Sequence, residues 1–227
     1  MFTLAQDEAV YYRGGGSSED HAIPAVVHDA SNVALLQRID LLLADKQLLT
    51  EAARRSHRHQ LGFYKFVLMA DAAGECLRLH LWDSPSTEQE DIHSHCAHFH
   101  SRVVLGSLSE NSFDLVRGDS HVSFRYSFDA GAGHSVAVKD GLTGVILRER
   151  RTLFRSDTYT KQAFELHNIS NAELGTVTIS AWSSRHSKAL VLKAHGARPE
   201  DCEVSVGMPA GEMRAALLNI KKRLGSI

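Results

Sequence analysis

The chain divides by the spacing of its apolar residues. Over 31–55, Val33, Leu35, Leu36, Ile39, Leu42, Leu43, Leu48 and Leu49 recur at helical intervals, predicting one or two amphipathic helices with Asp29 or Ser31 as the N-cap. After Gln60 the texture changes to short alternating runs separated by turn residues, the pattern of an all-β sandwich or barrel. Strands are predicted at 63–69, 76–82, 91–95, 99–106, 108–116, 123–128, 134–138, 144–149, 164–169, 176–182 and 189–193. From Pro209 onward Ala216, Leu217, Ile220, Lys221 and Leu224 predict a closing helix, with Pro209 near its first turn and Gly225 beyond its end. The expected division is 1–60 as an N-terminal arm and helices on the barrel, 61–195 as the barrel, and 196–227 as a C-terminal segment and helix. Gly14–Asp20 is polar and glycine-rich, as expected of a loop or mobile arm.

Composition narrows the partners. With 227 residues, 43% of them hydrophobic, the chain can bury a sizeable core as one domain. A formal net charge of -2 gives no reason to expect nucleic acid or an anionic membrane surface as partner. The apolar runs are too short to cross a bilayer. Met1–Val10 lacks the basic start of a secretory signal, and three scattered cysteines (Cys76, Cys96, Cys202) read as reduced thiols; a cytoplasmic protein is the expectation.

Four of the fourteen histidines fall within eight residues, in Asp91-Ile-His-Ser-His-Cys-Ala-His-Phe-His100. On a strand, residues two apart share a face, so His93 and His95 can turn their imidazoles toward one point. Two neutral imidazoles converging in this way suggest a metal.

These residues resemble the cupin superfamily. His93-Ser94-His95, three residues, Phe99, six residues and Gly106 follow the spacing of its first motif, with Phe99 where the family has an acid and Thr87 where it has the opening glycine; Ser84-Pro85-Ser86 can still turn. His167-Asn168-Ile169-Ser170-Asn171 follows the interval of the second motif, with Gln162 and Phe164 replacing its Pro-x-Gly. The likeness covers about 110 residues, from Cys76 to Trp182. It implies a mainly β fold, a cupin-type double-stranded β-helix (jelly-roll) barrel with N- and C-terminal helices. It also implies that His93, His95 and His167 converge on one divalent metal, with Fe(II) first and Ni, Zn or Mn as alternatives. Three-histidine iron sites are used by cysteine dioxygenases and β-diketone-cleaving dioxygenases, which this chain resembles in that respect.

The remaining candidates are secondary. His100 points outward on a regular strand, but a bulge could exchange it with Phe99, making it a reserve fourth ligand. Cys96 faces away on alternation and reads as an inert thiol. Arg78, His80 and Trp82 share one face of their strand and Leu77, Leu79 and Leu81 the other; either face could meet the interior. If the polar one does, Arg78 could hold a substrate carboxylate and His80 could shuttle protons. Tyr159 and Arg102 are further candidates, and Trp182 is assigned to the core. The basic run Arg54–His59 reads as a solvated helix end.

The leading expectation is a non-haem iron dioxygenase acting on a small organic substrate and O₂. The alternatives are a non-catalytic small-molecule-binding cupin and a Zn or Ni Lewis-acid isomerase or lyase. Pairing through the sheets into a homodimer is expected from the resemblance.

Overall fold

A computed structural model of the protein describes residues 22–59, 62–84, 90–129, 134–185, 188–202 and 207–226. The Gly14–Asp20 arm, Met1–Val10 and the Pro85–Thr87 part of the expected turn lie outside the described residues. Three helices come first: α1 (Ala22–His28), α2 (Val33–Ala44) and α3 (Lys46–Arg55). The strands follow as β1 (His57–Arg58), β2 (Tyr64–Ala70), β3 (Cys76–Leu81), β4 (Ile92–His93), β5 (Phe99–Leu105), β6 (Ser107–Asp129) and β7 (His134–Phe154). β8 (Thr158–Lys161), β9 (Leu166–Ala172), β10 (Val177–Trp182) and β11 (Ala189–Lys193) complete them, and α4 (Ala210–Leu224) closes the chain.

All strand pairings are antiparallel, in two sheets ordered β1-β2-β3-β10-β5-β8 and β11-β4-β9-β6-β7. The eight strands β3 to β10 therefore interleave as first-eighth-third-sixth in one sheet and second-seventh-fourth-fifth in the other. That order defines a jelly roll of two Greek keys, the double-stranded β-helix of cupins. β1 and β2 widen the first sheet, and β11 adds to the second through both β4 and β6.

The first sheet separates two environments. Leu77, Leu79 and Leu81 of β3 turn outward into the largest apolar cluster, against Leu35, Ile39, Leu49, Met213 and Leu217 of the helices. Arg78, His80 and Trp82 line the barrel interior. Apolar packing is thus supplied from outside by four helices, each buried leucine contributing about 1.5–3 kcal/mol, and the interior face is left free to carry polar groups. The helices are locally fixed. The Asp29 carboxylate accepts from the Ala34 amide ahead of α2 and the Asp45 carboxylate accepts from Gln47 and Leu48 at the start of α3. Arg102 is spent here too: it donates to the carbonyls of Val27 and Asp29 and to Asn32 Oδ1, tying β5 to the α1–α2 corner.

Two features of the strands differ from expectation. The four strands predicted between 108 and 149 are one long hairpin, β6–β7. Its expected breaks at 117–122 and 139–143 are bulges, where register slips at Val116/His121 and Ser123/Phe124 while pairing continues. Gly118 and Gly144 make this possible, since a Cβ on Gly118 would lie 3.1 Å from the Gly144 Cα. β8 was not anticipated, because four residues with a lysine at a buried position give almost no alternation signal. Gly106, which closes the first motif, turns β5 into β6 at φ +75°, where a side chain would also run into Thr176. Among the described residues no helix is long and apolar enough to cross a membrane.

Candidate metal centre

His93 ends β4 and pairs across the ladder with His167 of β9. The strand expected to reach His95 stops two residues earlier, so His95 belongs to the following segment. Backbone bonds fix that segment: Ser94 N donates to Leu190 O, Leu190 N donates to Ser94 Oγ, and His95 N donates to Ala163 O. Same-face alternation therefore does not operate, yet the rings still meet. Ring centroids are 4.8 Å apart for His93–His95 and 5.0 Å for both His93–His167 and His95–His167.

One ligand nitrogen from each of His93, His95 and His167 lies within 4.8 Å of the others. Nε2 of His95 and Nε2 of His167 are 2.8 Å apart. Nitrogens bound 2.0–2.2 Å from a shared cation stand roughly 3–4 Å apart, so small rotations of the three rings, two of which now touch through a hydrogen bond, bring them to ligand spacing. The tautomers agree. His93 Nδ1 lies 2.9 Å from the Asp91 carbonyl, which fixes its proton on that side and leaves Nε2 bare. His167 Nδ1 faces Oε1 of Glu110 at 3.2 Å, off the line of an ideal hydrogen bond. Its Nε2 lone pair is thereby aimed at the triad. Burial holds all three imidazoles neutral: His93 is pushed down to about 3, His95 well below its usual range, and His167 down against the opposing pull of Glu110. Neutral imidazoles are the form that binds metal without displacing protons.

Glu110, missed by sequence reasoning, is the acid of this centre. It is fully buried on β6, with Oε1 2.6 Å from Lys161 Nζ and Oε2 2.6 Å from Arg151 Nε. Phe99, at the motif position of an acid, stacks on Trp182 at 4.4 Å and meets His95 edge-on. The carboxylate thus comes from the neighbouring sheet and reaches the cluster through His167. Only the burial pattern of β6 could have exposed it.

The triad opens on a cavity of about 250 Å³ between the sheets. Arg78, His80 and Tyr159 all line it. Arg78 places its guanidinium carbon 3.9 Å over the Trp182 ring. His80 Nδ1 is 3.2 Å from Thr178 Oγ1, and burial keeps the ring neutral. Burial likewise keeps the Tyr159 phenol protonated. Trp182, assigned to the core, is also wall. His100 is elsewhere: β5 pairs regularly over 99–102, so its ring turns outward, stacks on His28 at 4.6 Å and reaches Thr160 Oγ1. The reserve-ligand reading is corrected, since no bulge exchanges it with Phe99. Cys96 lines the cavity, against the expectation from alternation, because the chain has left the strand before it. The solvated reading of Arg54–His59 is corrected in part: after α3 ends, His57 and His59 enter the cavity wall. Lys65 and Glu90 were not singled out from sequence. Burial and the nearby Arg78 push the Lys65 ammonium down to about 7, and burial pushes the Glu90 carboxyl up to about 7 despite a hydrogen bond from the Ile169 amide.

No protein-family model matches the chain, and no curated protein matches it in sequence. Among solved structures, it is similar to KdgF from Halomonas sp. at 13% identity and TM-score 0.36, over 58% of this chain and 88% of that one. An RmlC-like cupin from Shewanella frigidimarina NCIMB 400 gives 13% and 0.30, over 58% and 84%. An oxalate oxidase gives 12% and 0.35, over 78% and 74%. At such values the fold is defined by the strand order of the chain itself.

Proposed function

We propose that the protein is a metal-dependent enzyme in which His93, His95 and His167 hold one divalent ion, with Fe(II) favoured, and that it acts as a dioxygenase on a small organic substrate. The convergence of three neutral ring nitrogens at a cavity carries this reading. Three protein ligands leave coordination positions open, as catalytic sites require and closed structural sites do not. Iron held there supplies the O₂ chemistry. The chain supplies the rest. Neutral His80 and protonated Tyr159 offer hydrogen bonds that orient a substrate, and Glu90, near 7, can give or take a proton at physiological pH. The aromatic wall of Phe99, Trp82 and Trp182 limits water in the cavity.

Elemental analysis of protein purified without added metal, followed by O₂ uptake across thiols, diketones and amino acids, tests the reading. Iron and substrate-dependent uptake are expected. Zinc or nickel without uptake would favour Lewis-acid chemistry, and no metal at all would favour a binding protein.

We also propose a second copy of the chain as partner. The β6–β7 ribbon leaves Leu115, Val138 and Leu147 at 51%, 61% and 45% exposure, apolar side chains that a second copy could cover. Sedimentation equilibrium should give twice the 25.0 kDa chain mass, and a Leu115→Lys/Val138→Lys double variant should give the chain mass alone.

A further inference from the structure

Besides the triad, the cavity wall holds a second cluster, or pole, carried by β1, β2 and β3. His57 pairs with Lys65 across one ladder and Lys65 with His80 across the next, so three nitrogen side chains form a row on the inner face. Arg78 stands two residues along from His80 on the same face of β3. Their nitrogens are poorly satisfied. Both ring nitrogens of His57 and Nε of Arg78 are buried without a hydrogen-bond partner, with His57 5% and Arg78 9% exposed.

Counter-charge is missing as well. Among the described residues no carboxylate pairs with Lys65 or Arg78, and the groups acting on Lys65 are cations and cysteines. The two cavity-lining acids are engaged elsewhere: Asp91 with Lys193, and Glu90 with the Ile169 amide. Cations held in a cavity without an anion are costly, unless a ligand supplies the anion.

We propose that this pole is an oxyanion site and that the ligand of the cavity carries a doubly charged group, a phosphate ester or a pair of carboxylates, against Lys65 and Arg78. A dianion would hold the Lys65 amine in its charged form beside Arg78, and a His57 ring nitrogen adds a neutral donor. A single carboxylate, taken in a fork by Arg78 alone, would leave Lys65 uncompensated. The orientation follows: the Trp182 ring touches both ends, with the Arg78 guanidinium carbon 3.9 Å from its centre and the His95 imidazole 4.9 Å away. A ligand anchored at this pole presents its uncharged end to the three histidines. The inference rests on the reading of the cavity as the substrate site, but not on which metal, if any, the triad holds.

Isothermal titration with inorganic phosphate, succinate and acetate tests it. Either dianion should bind at least about 10-fold more tightly than acetate, and the better of the two names the source of the charge. Lys65→Met and Arg78→Gln should each remove that preference. Lys65→Met should also raise the melting temperature in anion-free buffer by roughly 2–4 °C, because it deletes an uncompensated ammonium. His93→Ala should keep the anion response even as it loses metal, so failure of the metal reading leaves this result intact. Equal binding of acetate, an unchanged preference in Lys65→Met, or loss of the response in His93→Ala would overturn the proposal.

Discussion

Replacing His93 or His167 by alanine is expected to lower metal affinity at least ~10-fold while the barrel stays folded. Each change removes one of three nitrogens, and no other described His, Cys, Asp or Glu stands close enough to replace it. His93 is half-buried at the end of a two-residue strand, so its loss leaves the apolar clusters untouched. Metal retained after dialysis, with circular dichroism as a check on folding, reads the effect. His100→Ala is the control. Its ring packs on His28 on the far side of β5, and full metal content is expected. Wild-type retention by His93→Ala and His167→Ala would break the assignment.

The second large effect is expected at Glu110. Glu110→Gln should destabilise the fold by about 3–5 kcal/mol, since it strands the buried ammonium of Lys161, which would keep only Ser112 Oγ at 2.7 Å. It should also weaken metal binding roughly 10–100-fold by releasing His167. The acid limb carries a signature. Burial alone would raise the Glu110 carboxyl, but the His167 and Lys161 groups that face it outweigh burial and bring the group down to about 2, against an ordinary 4.5. A depressed carboxylate stabilises the folded state fully above its unfolded value and loses that contribution as pH falls through its folded one. Urea unfolding should therefore show the wild-type advantage over Glu110→Gln at pH 5 and its decline between about 4.5 and 2. Equal slopes for the two proteins in that window would mean that Glu110 is not the group responsible.

The histidine pattern made the triad legible, and for a partly wrong reason. His93 and His95 were expected to converge through strand alternation. They converge because β11 and the Ala163 carbonyl pin the segment after β4. The jelly roll was legible from the number and spacing of short strands, whereas the β6–β7 hairpin was not, because glycines that usually mark turns here absorb bulges. The leucine and arginine faces of β3 could not be ranked from the strand alone. Which one faces inward depends on four helices, one of them more than a hundred residues away from the others in the chain, covering the opposite side. Glu110, Lys65 and His57 stayed hidden for a related cause. A charged residue at a buried strand position breaks the alternation by which strands are read, and its partners come from other strands.

Trp82 and Trp182 are the two tryptophans of the chain, and both stand in the cavity wall. Trp182 lies under the Arg78 guanidinium and edge-on to His95. All indole fluorescence of this protein therefore originates at the site. Occupancy of either end can be followed by intrinsic emission, with no label and no background from elsewhere in the fold.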